Sequence, residues 1–141
     1  MARTATEASN QMLALALPSI PESVPVARLQ VRGTLGSHKL GEYADDAEII
    51  TSELVTNAVQ HARCDVTETV RITLARASGS EAVIIAVSDS SPHGPVMRDA
   101  PADSERGRGL RIVESLCVDW GWHPAPGGKA VFAILAERTS A

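Results

Sequence analysis

A chain of 141 residues with 44% hydrophobic residues fits one globular domain with its own core and excludes a disordered segment. Its 17 acidic and 13 basic residues give a formal net charge of -4, which speaks against a nucleic-acid surface. Aromatics are 3% of the chain, so the core must be built from Ala, Val, Leu and Ile.

In chain order, residues 1–10 read as a polar flexible leader, and residues 11–141 as one domain. The leader lacks a signal-peptide pattern, and no stretch approaches the ~20 apolar residues that a membrane span needs, so a cytoplasmic protein is expected. Met12 to Leu17 is apolar, ends at Pro18 and reads as a first strand. Val26 to Leu35 has apolar positions at Val26, Leu29 and Leu35 and reads as a short helix, which Gly36 could end. Asp45 and Asp46 are candidate caps for the strongest helix, which runs to about Ala62 with Ala47, Ile50, Leu54, Ala58 and Ala62 as its buried stripe.

Val70, Ile72 and Leu74 alternate with polar or small residues, as in a half-buried strand. Val83 to Val87 is apolar almost throughout, which suits a strand buried on both faces and ending at Asp89. Ser90 to Glu105 is a long loop rich in Ser, Pro, Gly and Asp, the profile of a functional lid. Gly107-Arg108-Gly109 opens a helix that buries Leu110, Ile112, Val113 and Leu116. Val118 to Trp122 is a strand, Pro124 to Gly128 a turn, and Ala130 to Ala136 a last strand with Val131, Ala133 and Leu135 on one side. Hairpins mixed with helices predict an α+β two-layer sandwich rather than a doubly wound parallel sheet. Cys64 and Cys117 lie in no metal-ligand or CxxC spacing and read as reduced thiols.

Four constellations carry chemistry. Glu53, Asn57 and His61 fall four residues apart, on one side of successive helical turns. On spacing alone they are a solvated helix edge as readily as a site. As a site, Asn offers a neutral oxygen suited to Mg²⁺, and Glu can take a proton. Asp89 at a strand end could accept a hydrogen bond from a ligand's amino group, or could simply form a turn. Gly107-Arg108-Gly109 allows close backbone approach to an anion, yet is neither a Walker motif nor a dinucleotide fingerprint. Gly127-Gly128-Lys129 reads as a hairpin turn with an exposed Lys. His38, His93 and His123 read as surface or turn residues.

Taken in order, these pieces resemble the GHKL-type ATPase domain, with its N box, G1 box, ATP lid and G2 box. The run Glu53-Leu54-Val55-Thr56-Asn57-Ala58-Val59-Gln60-His61-Ala62 resembles the N box of small stand-alone anti-sigma-factor and serine-kinase regulators of actinobacterial type. Asp89-Ser90-Ser91-Pro92 is similar to their G1 segment, and Gly107-Arg108-Gly109-Leu110 with Val113-Glu114 to G2. Trp120-Gly121 and Gly127 to Phe132 are similar to their closing strands. Two departures stand out: no Gly directly follows Asp89, and Phe132 replaces a frequent Trp.

The resemblance implies a mixed, mostly antiparallel sheet with helices on one face. It implies ATP between the helices and the lid, with Mg²⁺. Carried over, Asp89 would bind the adenine amino group, Asn57 would hold Mg²⁺, and Glu53 would be the general base. Gly107, Gly109 and Leu110 would shape the phosphate and lid side, and Arg108 is a phosphate partner by charge and position. The implied activity is phosphorylation of a serine on an anti-sigma-factor antagonist, or sequestration of a sigma factor, or both. The alternative is an ATP-gated protein-binding module with little catalysis. Kinase relatives are often homodimers, and that arrangement is open for this chain.

Overall fold

The computed structural model describes residues 9–60, 68–77, 81–90 and 105–137, without the side chains of Ser9 and of 105–108. Five strands, β1 (Ser9–Pro18), β2 (Thr69–Ala77), β3 (Val83–Asp89), β4 (Asp119–Ala125) and β5 (Gly128–Leu135), form one sheet in the order β1-β2-β3-β5-β4. Three α-helices, α1 (Ser23–Ser37), α2 (Ala44–Gln60) and α3 (Glu105–Leu116), pack on it. A 3-10 turn over Gly41–Tyr43 links α1 to α2. The result is the expected α+β sandwich.

All four described strand pairings are antiparallel, in keeping with the expected mostly antiparallel sheet, and no parallel pair occurs among the described residues. The reason is topological. The connection through α3 returns the chain in the direction of β3, but it delivers β4 to the sheet edge, and β5 hairpins back between β3 and β4. The two parallel strands are therefore never neighbours.

Alternation assigns the sheet faces. Val70, Ile72, Leu74, Val83, Ile85, Val87, Val131, Ala133 and Leu135 are buried toward the helices. Register sets Ile72 opposite Val87, Leu74 opposite Ile85, and Ile85 opposite Ala133, so one apolar sheet face is continuous across β2, β3 and β5. The other face of β3 is not covered to the same degree. Ile84 and Ala86 are only half-buried, which corrects the expectation of a strand buried on both faces. Ile85→Ala removes a fully buried side chain from the middle of this face. It should destabilise the protein by about 2–5 kcal/mol, read as a lower urea midpoint at unchanged slope.

Helix α1 differs most from its reading. Its buried file is Ser23, Ala27, Val31 and Leu35, while Val26 and Leu29 face out, Leu29 with 69% of its surface exposed. The helix also starts three residues before Val26, because Ser23 anchors it: the Ser23 hydroxyl donates to the Pro18 carbonyl at 2.6 Å. Pro25 is tolerated there, since the first turn makes no use of its missing N–H. Helix α2 begins at Ala44, so Asp45 and Asp46 lie inside its first turn rather than capping it, where they still suit the helix dipole. Arg32 of α1 donates to Asp45 and, at 2.6 Å, to Glu48 of α2. The hydrogen bond from Arg32 holds the Glu48 carboxyl below its ordinary value. The predicted buried residues Ala47, Ile50, Leu54 and Ala58 are all buried, and Thr51 and Val55 widen that stripe. Ala62 lies outside the described residues.

Strand β1 starts at Ser9, inside the expected leader. Cys117 is buried and in no disulfide among the described residues, in line with its reading as a reduced thiol, and Cys64 lies outside the described residues. Among the described residues no helix is long and apolar enough to cross a membrane.

Candidate functional site

The site is built at one end of the sheet, where β3 and β4 finish and β5 starts. Helix α2 packs over β2, β3 and β5 and against α3. Its inner face is committed to the core, so the residues at the margin of that face sit half in and half out. Glu53 and Asn57 are both half-buried and one turn apart. This is the polar margin expected from the sequence. His61, its third member, lies outside the described residues.

Helix α3 closes on that margin. A Cβ built on Gly109 would come within 2.7 Å of Glu53 Oε2, so the glycine is what lets the α3 backbone lie against the carboxylate. Burial pushes the Glu53 carboxyl above its ordinary value. A carboxyl so placed holds its proton more readily, which is the direction a general base at neutral pH requires. Helix α3 begins at Glu105, two residues earlier than Gly107. Gly107 and Arg108 therefore lie in its first turn, whose amides have no acceptor within the helix and can face an anion. Leu110, next to Gly109, is not at the rim but in the core, as are Val113 and Cys117; Ile112 and Leu116 are half-buried. The loop 91–104 lies outside the described residues, as does His93.

Asp89 ends β3 and is directly opposite Lys129 of β5. Here the sequence reading needs its largest correction. Lys129 is not an exposed turn residue: it is fully buried, and its Nζ lies 2.9 Å and 3.1 Å from the two carboxylate oxygens of Asp89. The signal was available. Lys129 is two residues before Val131 and four before Ala133, so alternation puts all three on the helix side. The turn itself is as expected. Pro126 and Gly127 join β4 to β5, and Gly127 takes φ +78, which a type II turn demands of its third residue.

Gly128 is the other residue whose role sequence reasoning missed. A Cβ there would run into the Asp89 carbonyl oxygen and come within 2.7 Å of Ser90 Cα. The start of β5 thus presses directly on the backbone that carries Asp89. Nothing in a glycine pair before a strand distinguishes this close approach from an ordinary turn.

The arrangement offers a buried acceptor at a strand end, a half-buried carboxylate and amide on one helix margin, and the first turn of a second helix beside them. Asn57 and Glu53 supply hard oxygen donors suited to Mg²⁺. Among the described residues no three His, Cys, Asp or Glu gather into a metal cage. That donor set fits an ion whose remaining ligands are phosphates and water.

Comparison with known proteins agrees with this fold. The family model described as "Histidine kinase-like ATPase domain" matches residues 17–135. No curated protein matches the chain. Among solved structures, the RsbU and RsbW domains of Rv1364c from Mycobacterium tuberculosis share the fold at a TM-score of 0.64 and 21% identity. The match covers 88% of this chain and 32% of that one.

Proposed function

The chain belongs to the histidine kinase-like ATPase domain family, and on that premise we propose that it is a regulatory protein that binds ATP and transfers its terminal phosphoryl group to a serine or threonine of a partner protein. The observation that carries this reading is the Glu53 carboxylate. It is half-buried, has its proton affinity raised by burial, and lies against Gly109 of α3 one turn from Asn57. A protein that only bound nucleotide would have no need of a base there.

In this reading Asp89 accepts a hydrogen bond from the adenine amino group. The first-turn amides of α3, with Gly107, Gly109 and Arg108, receive the phosphates, and Leu110 anchors that turn in the core. Glu53 accepts the proton of the partner's hydroxyl as the hydroxyl oxygen attacks the terminal phosphorus. The bond from that phosphorus to the bridging oxygen breaks, and ADP leaves with the electron pair. Asn57 would hold Mg²⁺, which neutralises phosphate charge when bound. Phosphoryl transfer asks of a protein mainly positioning and charge stabilisation, so a small domain suffices when the partner brings the hydroxyl.

The partner class rests on the resemblance of residues 53–62, 89–92 and 107–110 to stand-alone regulators. It is an anti-sigma-factor antagonist as phosphate acceptor, a sigma factor as bound target, or both. The test is transfer of labelled phosphate from ATP to such an antagonist, followed by mapping of the modified residue. Phosphoserine or phosphothreonine is expected. Partner binding that depends on ATP but transfers no label would replace the kinase with an ATP-gated binding module.

A further inference from the structure

The apolar file that β3 and β5 turn toward the helices ends on a charged rung. Val83 faces Leu135, Ile85 faces Ala133, Val87 faces Val131, and then Asp89 faces Lys129. The two side chains expose 4% and 0% of their surface. An isolated charge in such a place is strongly unfavourable, so neither ion is tolerable without the other. The ammonium touches both carboxylate oxygens, at 3.1 Å and 2.9 Å, so it fixes the orientation of the carboxylate. A carboxylate has about four lone-pair sites, so accepting from Lys129 leaves it able to accept from another donor.

We propose that Lys129 is a positioning residue that sets base selectivity: by holding both oxygens of the Asp89 carboxylate, it orients that group to accept from a 6-amino purine and reject a 6-oxo purine. The inference rests on the reading of Asp89 as the adenine contact. Its chemistry is simple. An ionised carboxylate has no proton to give, so it pairs with an exocyclic amine and repels a carbonyl. A carboxylate that can turn away from the base loses that pairing, and its discrimination falls. Lys129 holds the orientation without touching the base.

The test compares ATP with inosine triphosphate, which differs at the 6-position, by titration into the folded wild type, Lys129→Met and Lys129→Gln, all with Asp89 in place. Wild type should prefer ATP, and Lys129→Met should lower the preference by about tenfold or more, because polar readout of one group discriminates by orders of magnitude when intact. If Lys129→Met does not fold, Lys129→Gln, whose amide can still donate into the buried rung but cannot hold both carboxylate oxygens as the ammonium does, decides the question: its preference should fall in the same direction. A purely structural Lys129 would lower the melting temperature and leave the ratio unchanged, and that result in either variant overturns the proposal. A wild type that binds ATP and inosine triphosphate equally overturns the adenine role of Asp89, and the inference with it. A wild type that binds neither overturns the nucleotide reading itself.

Discussion

Under the proposed kinase reading, Glu53→Gln should sharply lower phosphoryl transfer and raise the melting temperature at neutral pH. The two effects share one cause. Burial raises the affinity of the Glu53 carboxyl for its proton in the folded state. As pH rises from the ordinary carboxyl value of 4.5 through the raised folded value, the folded protein holds more protons than the unfolded chain, so stability falls. Above that window the charged Glu53 is a constant penalty. Gln keeps the shape and removes the charge, so the variant should gain stability at pH 7.5 and match wild type below pH 4.5. The same substitution removes the group that takes the hydroxyl proton, and transfer should fall by about 10²–10⁴-fold. Thermal melts at the two pH values and a transfer assay with the antagonist check both halves. Transfer at the wild-type rate would remove Glu53 from its assigned role. Equal melting temperatures at neutral pH would mean that solvent relieves the desolvation.

The second large effect is at Gly128. The obstacle to a side chain is backbone, namely the Asp89 carbonyl and Ser90 Cα, so no rotamer change can make room. Gly128→Ala must push the start of β5 away from the end of β3, which separates Lys129 from Asp89. Overpacking of this kind costs about 1–3 kcal/mol, and a clash with rigid backbone belongs at the upper end. The variant should unfold at a distinctly lower urea concentration and lose ATP binding even where it is fully folded. Gly109→Ala is the useful contrast, because its obstacle is the far end of the flexible Glu53 side chain. That variant should keep its fold and lose transfer. A Gly128→Ala protein with wild-type stability and ATP affinity would show that the close approach of β5 to Asp89 plays no part in the site.

The sheet was readable because alternation is a local signal: Val70, Ile72 and Leu74 in β2, and Val131, Ala133 and Leu135 in β5, all face the helices as read. Helix α2 was readable for the same reason, with a stripe long enough to fix its phase. Helix α1 was not. Val26 and Leu29 suggested one face, whereas packing chose the file of Ser23, Ala27, Val31 and Leu35, which places two small residues against the neighbouring elements. Hydrophobicity indicates which residues can be buried, but the choice between two faces depends on how closely the neighbouring elements approach. In the site, the half-buried margin of Glu53 and Asn57 followed from helix spacing, and Asp89 from its place at the end of an apolar strand. Lys129 was misplaced by its charge. Its strand parity argued for burial, and its burial is tolerable only because register supplies Asp89 directly opposite, a partner 40 residues away in sequence. The role of Gly128 depends on the same long-range register and carries no local signature.

The most direct measurement is calorimetric titration of the purified protein with ATP, with and without Mg²⁺, beside Asp89→Asn. Asn can keep its carbonyl toward Lys129 but then turns its amide donor, not an acceptor, toward the adenine amino group. The account predicts metal-dependent ATP binding by the wild type and its loss in the folded variant. It also predicts a rise in the wild-type melting temperature with ATP, since a ligand that binds only the folded form stabilises it. Absence of both heat and thermal shift at millimolar ATP would contradict the account, as would unchanged affinity in Asp89→Asn.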